Sequence, residues 1–453
     1  MVSLRSGAFV ILYAVFAILP WFGFADVEWV DWDRRQICMP ERYIQPGTEA
    51  ELIDVIKNAA NNGMQVKVVG SGHSFSSITL TDVDRGAILL NLDKLNHVLE
   101  IDGKQFEVTV QAGIRIHVLN DILLKSGFAL INTGAIAQQS IAGATQTGTH
   151  GTGKQIGSMS TAIQSFKILL ANGTVLNGVS ADTNPELFYA GRVGLGCLGV
   201  MMEMTLAIYP KFKLKRTAMP YSLKQLLIDL PQLEQQYDRM QWYYTPYTDN
   251  ATLLLREAVP IDTPIVPCWP GALSTSLTNN VTCIDWSFKA LCHEADDNIK
   301  YTEMEYFVDA KDGLSLAVAF LAAQSSLANS TYNDCKTQKF GACTLFTGMR
   351  YAAADENWMS PMYNQDIAVV SNIVLGTPDI AGPPEIFSAY GRELEKIATL
   401  EYGGRPHWGK MNWATSHDLR PAYPMLDNFV KLREALDPNR MFLNAYVQQR
   451  LGV

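Results

Sequence analysis

Leu52, Val55, Ile56 and Ala59 recur at the steps of one helix face, so residues 48–63 predict an amphipathic helix. Thr48 and Glu51 stand at capping-box spacing at its start, and Gly63 stops it. The apolar run QVKVV (65–69) predicts a strand that ends in the loop GSGHS (70–74). AILLNL (87–92), HVLEI (97–101) and FEVTVQAG (106–113) predict further strands, and IHVLNDILLKSG (116–127) a helix. Residues 132–158 carry too many glycines and threonines for a helix and too few large side chains for an ordinary core. Residues 163–178 predict a hairpin turning at Asn172-Gly173.

After MMEMTLAIYP (201–210) the pattern changes: glycines thin out, and aromatic residues and cysteines increase. This places a domain boundary near Lys211–Lys215. The region to about Gly404 mixes strands such as MQWYYTP and TLLLRE with helices. Near the end, Leu426, Phe429, Leu432 and Leu436 form one helix face, which Pro438 terminates. The elements describe an α+β chain of two domains, as 453 residues also suggest.

Composition narrows the functions. A hydrophobic share of 48% with 18% charged residues is globular. The net charge of -9 offers no basic stripe for phosphates, which argues against a nucleic-acid partner. Residues 8–25 are apolar throughout, and small Gly23 and Ala25 precede a possible cut before Asp26. Cleaved secretory signal and retained membrane anchor are the two readings; Pro20 and the short length favour cleavage, and a membrane partner enters only if the segment stays. Four Asn-x-Ser/Thr sequons, at Asn172, Asn250, Asn280 and Asn329, agree with the secretory route, secreted or in the ER lumen. Seven cysteines suggest disulfides plus one free thiol, with Cys268, Cys283, Cys292, Cys335 and Cys343 clustered in the second domain and connectivity open. Their spacing is not a zinc pattern, and no metal is expected.

The stretch GLGCLG (194–199) matches G-x-G-x-x-G, but a helix-like segment precedes it and a strand-like one follows, the reverse of a dinucleotide fold. GSGHS, TGTHGTG and GLGCLG together are consistent either with tight turns or with backbone N–H groups converging on a pyrophosphate.

The blocks VVGSGHSFSSITLTD, NTGAIAQQSIAGATQTGTHGTG, GRVGLGCLGVMMEMTL, GGRPHWGK and LDPNRMFLNAYV resemble, in order, those of the aldonolactone oxidases. This family includes L-gulono-1,4-lactone, D-arabinono-1,4-lactone and alditol oxidases, within the vanillyl-alcohol-oxidase flavoprotein superfamily. The resemblance covers residues 40–212 and 400–450 and is loose between 215 and 400. After the signal peptide read at 1–25, it implies a PCMH-type FAD-binding domain (36–212), an α+β cap domain (213–404) and a C-terminal segment (405–453) returning to the FAD domain.

By the same resemblance FAD is bound covalently through His73. Gly70, Ser71, Gly72, His73, Ser74 and Phe75 form the first loop. Gly134, Ala135, Ser140 and Gly143 line the isoalloxazine and ribityl side, Thr147, Gly148, Thr149 and His150 the second phosphate-facing turn, and Gly199 and Val200 the adenine side. His150 reads equally well as a hydrogen-bonded buried histidine. Gly134 favours O2 as acceptor, because cytochrome-using relatives tend to carry alanine there.

The implied reaction takes hydride from a carbinol to the flavin and yields H2O2 from O2, with a lactone or polyol as substrate and L-gulono-1,4-lactone the first candidate. Lys410 in RPHWGK keeps the family's place and Arg350 supplies the arginine of its Glu-x-Arg pair, but Gly348 stands where the glutamate belongs. Glu303 could supply the carboxylate from a neighbouring strand; its competing reading is a solvated side chain, and that of Arg350 is a structural ion pair. Gly348 keeps two alternatives open: oxidation of another carbohydrate or alcohol, and a flavin-binding secreted protein with little activity.

Overall fold

The computed structural model describes residues 27–82, 86–245, 248–268, 280–292, 300–330, 345–375 and 385–453. Helix Glu49–Asn61 forms where the apolar face requires it: Leu52, Val55, Ile56 and Ala59 are buried, and the Thr48 hydroxyl accepts the Glu51 N–H. Strand Gln65–Val69 pairs in parallel with Ala87–Asn91, which pairs in parallel with Arg42–Ile44. An antiparallel five-stranded sheet follows, in the order Val175–Val179, Ile163–Leu169, Val200–Ala207, Glu107–Gln111, Val98–Asp102. Asn172-Gly173 makes its hairpin turn, with Gly173 at φ +81. The two sheets share one apolar core with helices Glu49–Asn61, Ile116–Lys125 and Leu426–Leu436.

Within residues 132–158 a short helix does form, Ile141–Gln146, against the expectation from composition. Ser140 caps it by accepting the Gly143 N–H, and buried Ile141, Ala144 and Thr145 anchor it. Small side chains there permit close packing and do not forbid a single helical turn.

An eight-stranded antiparallel sheet makes the second body, in the order Val281–Trp286, Lys213–Ser222, Asn250–Val259, Arg239–Tyr244, Leu345–Ala352, Ile367–Leu375, Tyr301–Asp309, Arg405–Pro406. Alternation divides its faces. Trp242, Leu253, Met349, Val370, Met304 and Tyr306 point to one side, where helices Leu223–Gln236 and Gly313–Ser330 cover them. The other face carries Tyr243, Arg350, Glu303 and Glu305. Residues 405–453 tie the bodies together: Phe307 pairs with Arg405, while the Val66 N–H donates to the Met441 carbonyl and the buried Lys67 ammonium to that of Phe442.

Cys268 and Cys283 form a disulfide. Cys38 and Cys197 are both buried free thiols, where the odd count suggested one; each packs as a small apolar side chain. The leader, Cys335, Cys343 and the side chain of Asn329 lie outside the described residues. Asn172, Asn250 and Asn280 are exposed. Among the described residues no helix is long and apolar enough to cross a membrane.

Candidate active site

A cleft opens where the parallel sheet meets the five-stranded one. Gly70, Ser71, Gly72, His73 and Ser74 form one wall; Gln139, Ser140, Gly143, Gln146, Thr147, Gly196 and Gly199 face them. Small residues are obligatory here. A Cβ on Gly70 would stand 2.3 Å from Ser140 Oγ, and one on Gly113, also lining the cleft, 2.0 Å from the Leu92 carbonyl oxygen. Gly72 adopts φ +70 and Gly196 φ +62, left-handed conformations that favour glycine.

His73 lies at the lip. Its ring stacks on Trp32 at 5.2 Å, and Nδ1 is buried without a hydrogen-bond partner. Burial, then the charges of Arg115, Lys300 and Lys410, push its pKa down to about 4, so the imidazole is neutral at pH 7. A neutral, unpartnered ring nitrogen at the mouth of a cleft walled by backbone fits a bound FAD.

Several residues expected at the cofactor do not line this cleft. Phe75 is buried beneath the Lys410 ammonium, 5.2 Å from its ring centroid, and does not line the cleft. Val200 is fully buried in the core, since alternation from Gly199 turns its side chain inward. Gly134 and Ala135 are outside the cleft; a Cβ on Gly134 would meet Thr149 Cγ2 at 2.9 Å. Gly148 packs on Pro361, and Thr149 is buried. His150 turns away from the cleft, toward the cap sheet.

Across from this turn, two cation–carboxylate pairs lie on one sheet face. Arg350 Nη2 donates to Glu305 Oε1 at 2.5 Å. Lys410 forms an ion pair with Glu303, one same-face position along the strand. The pairing of the chain fixes both: the His407 N–H donates to the Glu305 carbonyl and the Met411 N–H to the Glu303 carbonyl, which sets Lys410 beside the strand. Glu303 is 7% exposed, so it is not the solvated side chain of the alternative reading.

Burial pulls the Lys410 amine down to about 7; the Glu303 carboxylate in contact with it works in the opposite direction. Burial raises the pKa of Glu305, but Arg350, with His150 and His407, outweighs it and holds the carboxyl well below the usual range.

The carboxylate missing at Gly348 has a structural explanation. Tyr243, Gly348, Ser371 and Glu305 stand abreast on four neighbouring strands. A Cβ on Gly348 would meet the Tyr243 ring at 2.8 Å and Ser371 Oγ at 2.9 Å. Tyr243 fills that place, and Glu305 reaches Arg350 from the far end of the row.

Comparison with known proteins agrees with this arrangement. The FAD binding domain family matches residues 40–178, and the D-arabinono-1,4-lactone oxidase family residues 255–450. The chain is 32% identical over 453 residues to the L-gulono-1,4-lactone dehydrogenase of Mycobacterium tuberculosis, covering 94% of this chain and 99% of that one. The chain belongs to the aldonolactone oxidase family. It is an FAD-dependent oxidoreductase. L-gulonolactone oxidase of Bos taurus is 30% identical over 449 residues, with 94% and 99% covered. Cholesterol oxidase from B. sterolicum shares the fold, with a TM-score of 0.77 at 16% identity over 94% of this chain and 96% of that one.

Within this flavoprotein, sequence reasoning missed Glu305, Tyr243, His407, Gln139 and Gln146. The spacing of Glu303 and Glu305 was a usable signal, since residues two apart share a strand face. Tyr243 gave none, because its place opposite Gly348 depends on strand register.

Proposed function

We propose that the protein oxidises a carbinol of an aldonolactone or sugar alcohol, with L-gulono-1,4-lactone the first candidate, and passes the electrons to O2. The carbinol loses a hydride and its hydroxyl proton; O2 takes two electrons and two protons to give H2O2. Bound FAD supplies the hydride acceptor. The observation that carries the reading is the pair of half-buried cations, Lys410 and Arg350, each fixed by a carboxylate on one strand. Lys410 and Arg350 orient the substrate hydroxyls and meet negative charge growing on the oxygen as its proton leaves. Glu303 and Glu305 hold the two cations in place. Purified yellow protein should release peroxide with aldonolactones or alditols; protein that retains FAD and releases none with any of them contradicts the proposal.

His73 joins the flavin covalently in this reading, supported by its neutral, unpartnered Nδ1. Acid-precipitated protein should stay yellow and His73→Ala should lose its colour; a colourless wild-type pellet refutes the bond. Oxygen rather than another acceptor rests on Gly134. Gly134→Ala, paired with Thr149→Ser to free the 2.9 Å contact, should slow reoxidation in air more than reduction by substrate. Equal slowing of both steps removes Gly134 from the argument.

A secretory location is supported by the Cys268–Cys283 disulfide and three exposed sequons. Protein from the secretory pathway should lose mass with an endoglycosidase; no shift counts against that route.

A further inference from the structure

His150 is flanked by two acceptors in the closed layer between the cap face and the 147–151 turn. Its Nδ1 lies 2.9 Å from the Gly151 carbonyl oxygen and its Nε2 3.6 Å from Glu305 Oε2. Both side chains are 1% exposed, and Nε2 and Oε2 have no hydrogen-bond partner. A neutral imidazole carries one N–H. With the proton on Nδ1, the Nε2 lone pair opposes a carboxylate; with it on Nε2, the Nδ1 lone pair opposes the carbonyl. The imidazolium alone presents an N–H to both, hydrogen-bonded to the carbonyl and ion-paired with the carboxylate.

We propose that His150 is a standing imidazolium held by Glu305, so that His150, Glu305 and Arg350 form a trio of two cations and one anion beneath the substrate face. His150 is then a positioning residue: it orients Glu305, which orients Arg350, the member of the trio with 11% of its side chain exposed. The extra positive charge lies where negative charge grows on the substrate oxygen. This inference rests on the placement of Arg350 in the substrate site proposed above.

The surrounding groups are few. Phe307 presents its ring at 5.0 Å and His407 at 6.0 Å. His407 is neutral: burial pushes its pKa down to about 3, and its Nδ1 accepts the Gly409 N–H. Tyr243 and Tyr301, facing Arg350 and Glu305, have phenol pKa values raised by burial and are neutral too. Burial and Arg350 push the His150 pKa down; Glu305 and the Gly151 carbonyl push it up, and the balance on the ring is downward. The geometry outweighs that balance, because losing either proton sets a buried lone pair against the Gly151 carbonyl or against the Glu305 carboxylate. His150, Glu305 and His407 also bring candidate metal-ligand atoms within 4.8 Å. A metal ion there would have to compete with Arg350 for Glu305 and with the Gly409 N–H for His407, so the site suits a proton better.

Histidine ring nitrogens labelled with 15N in the holoenzyme report the protonation directly. At pH 8 an unperturbed imidazole is neutral, and burial keeps His73 and His407 neutral. The expected result is one imidazolium signal persisting at pH 8, absent from His150→Gln and replaced by a neutral signal in Glu305→Gln. A wild-type spectrum with no imidazolium at pH 8 overturns the inference without touching the assignment of the reaction, and it needs no variant to fold. Kinetically, His150→Leu should shift the pH at which kcat/KM falls, and His150→Gln, which keeps an N–H toward Glu305, should shift it less. Identical pH profiles for wild type and His150→Leu also overturn it.

Discussion

The cleft beside His73 is walled largely by backbone and small side chains, whereas the cap face opposite is made of large side chains contributed by separate strands. Gly70 and Gly113 have no room for a Cβ, and Gly72 and Gly196 supply left-handed turns, so the cleft is defined mainly by what is missing. Tyr243, Arg350 and Glu305 instead come from three strands and stand near one another only because the register aligns them. The cleft is therefore built by contiguous stretches of chain, and the cap face by long-range pairing.

That contrast implies different sensitivities. The largest effect is expected on the cap face. Glu305→Ala leaves the Arg350 guanidinium buried with its counter-ion gone, a loss of about 3–5 kcal/mol of stability, measurable by denaturant unfolding of the holoenzyme. A loss below about 1 kcal/mol would mean that the pair is solvated and the face is not closed. Next, Lys410→Met should slow substrate reduction of the flavin by roughly 10²-fold, comparable with removing an electrostatic donor, while the yellow colour persists. Stopped-flow measurement under nitrogen checks this.

Legibility followed the same division. The strand Gln65–Val69, the loop after it and the Asn172-Gly173 hairpin were readable because each is a local pattern. Gly70 to Ser74, Ser140, Gly143, Thr147 and Gly199 all reach the cleft. Val200 and Phe75 did not, since burial of an apolar side chain overrides its nearness in sequence to a loop. On the cap face, Lys410 and Arg350 were visible from resemblance, but Glu305 was not: nothing local distinguishes it from Glu303, and only the neighbouring strands decide which one meets Arg350. Gly348 read as a lost carboxylate. The register shows instead that Tyr243 occupies the space and Glu305 provides the charge.

A third test sharpens this substitution. Gly348→Glu should destabilise the protein by about 1–3 kcal/mol through overpacking against Tyr243, with no gain on gulonolactone; Gly348→Glu with Tyr243→Ala should recover stability, as thermal unfolding would show. A stable Gly348→Glu single variant would break the claim that the row is full. The smallest effect concerns pH. In the proposed reaction Lys410 acts as a cation, so flavin reduction should fall as pH rises through its pKa. Glu303 raises that pKa against the burial that pulls it toward about 7. Glu303→Gln removes the opposition, and the fall should move to lower pH. An unchanged or upward-moving profile would separate Glu303 from Lys410.

The most direct measurement is anaerobic mixing of the yellow wild-type protein with L-gulono-1,4-lactone, followed by its visible absorbance. The account predicts bleaching of the flavin band in a single turnover, and recovery of the band with release of H2O2 when air is admitted. A band that stays unbleached with gulonolactone and with every aldonolactone and alditol tried, while the colour remains bound to the protein, would contradict it.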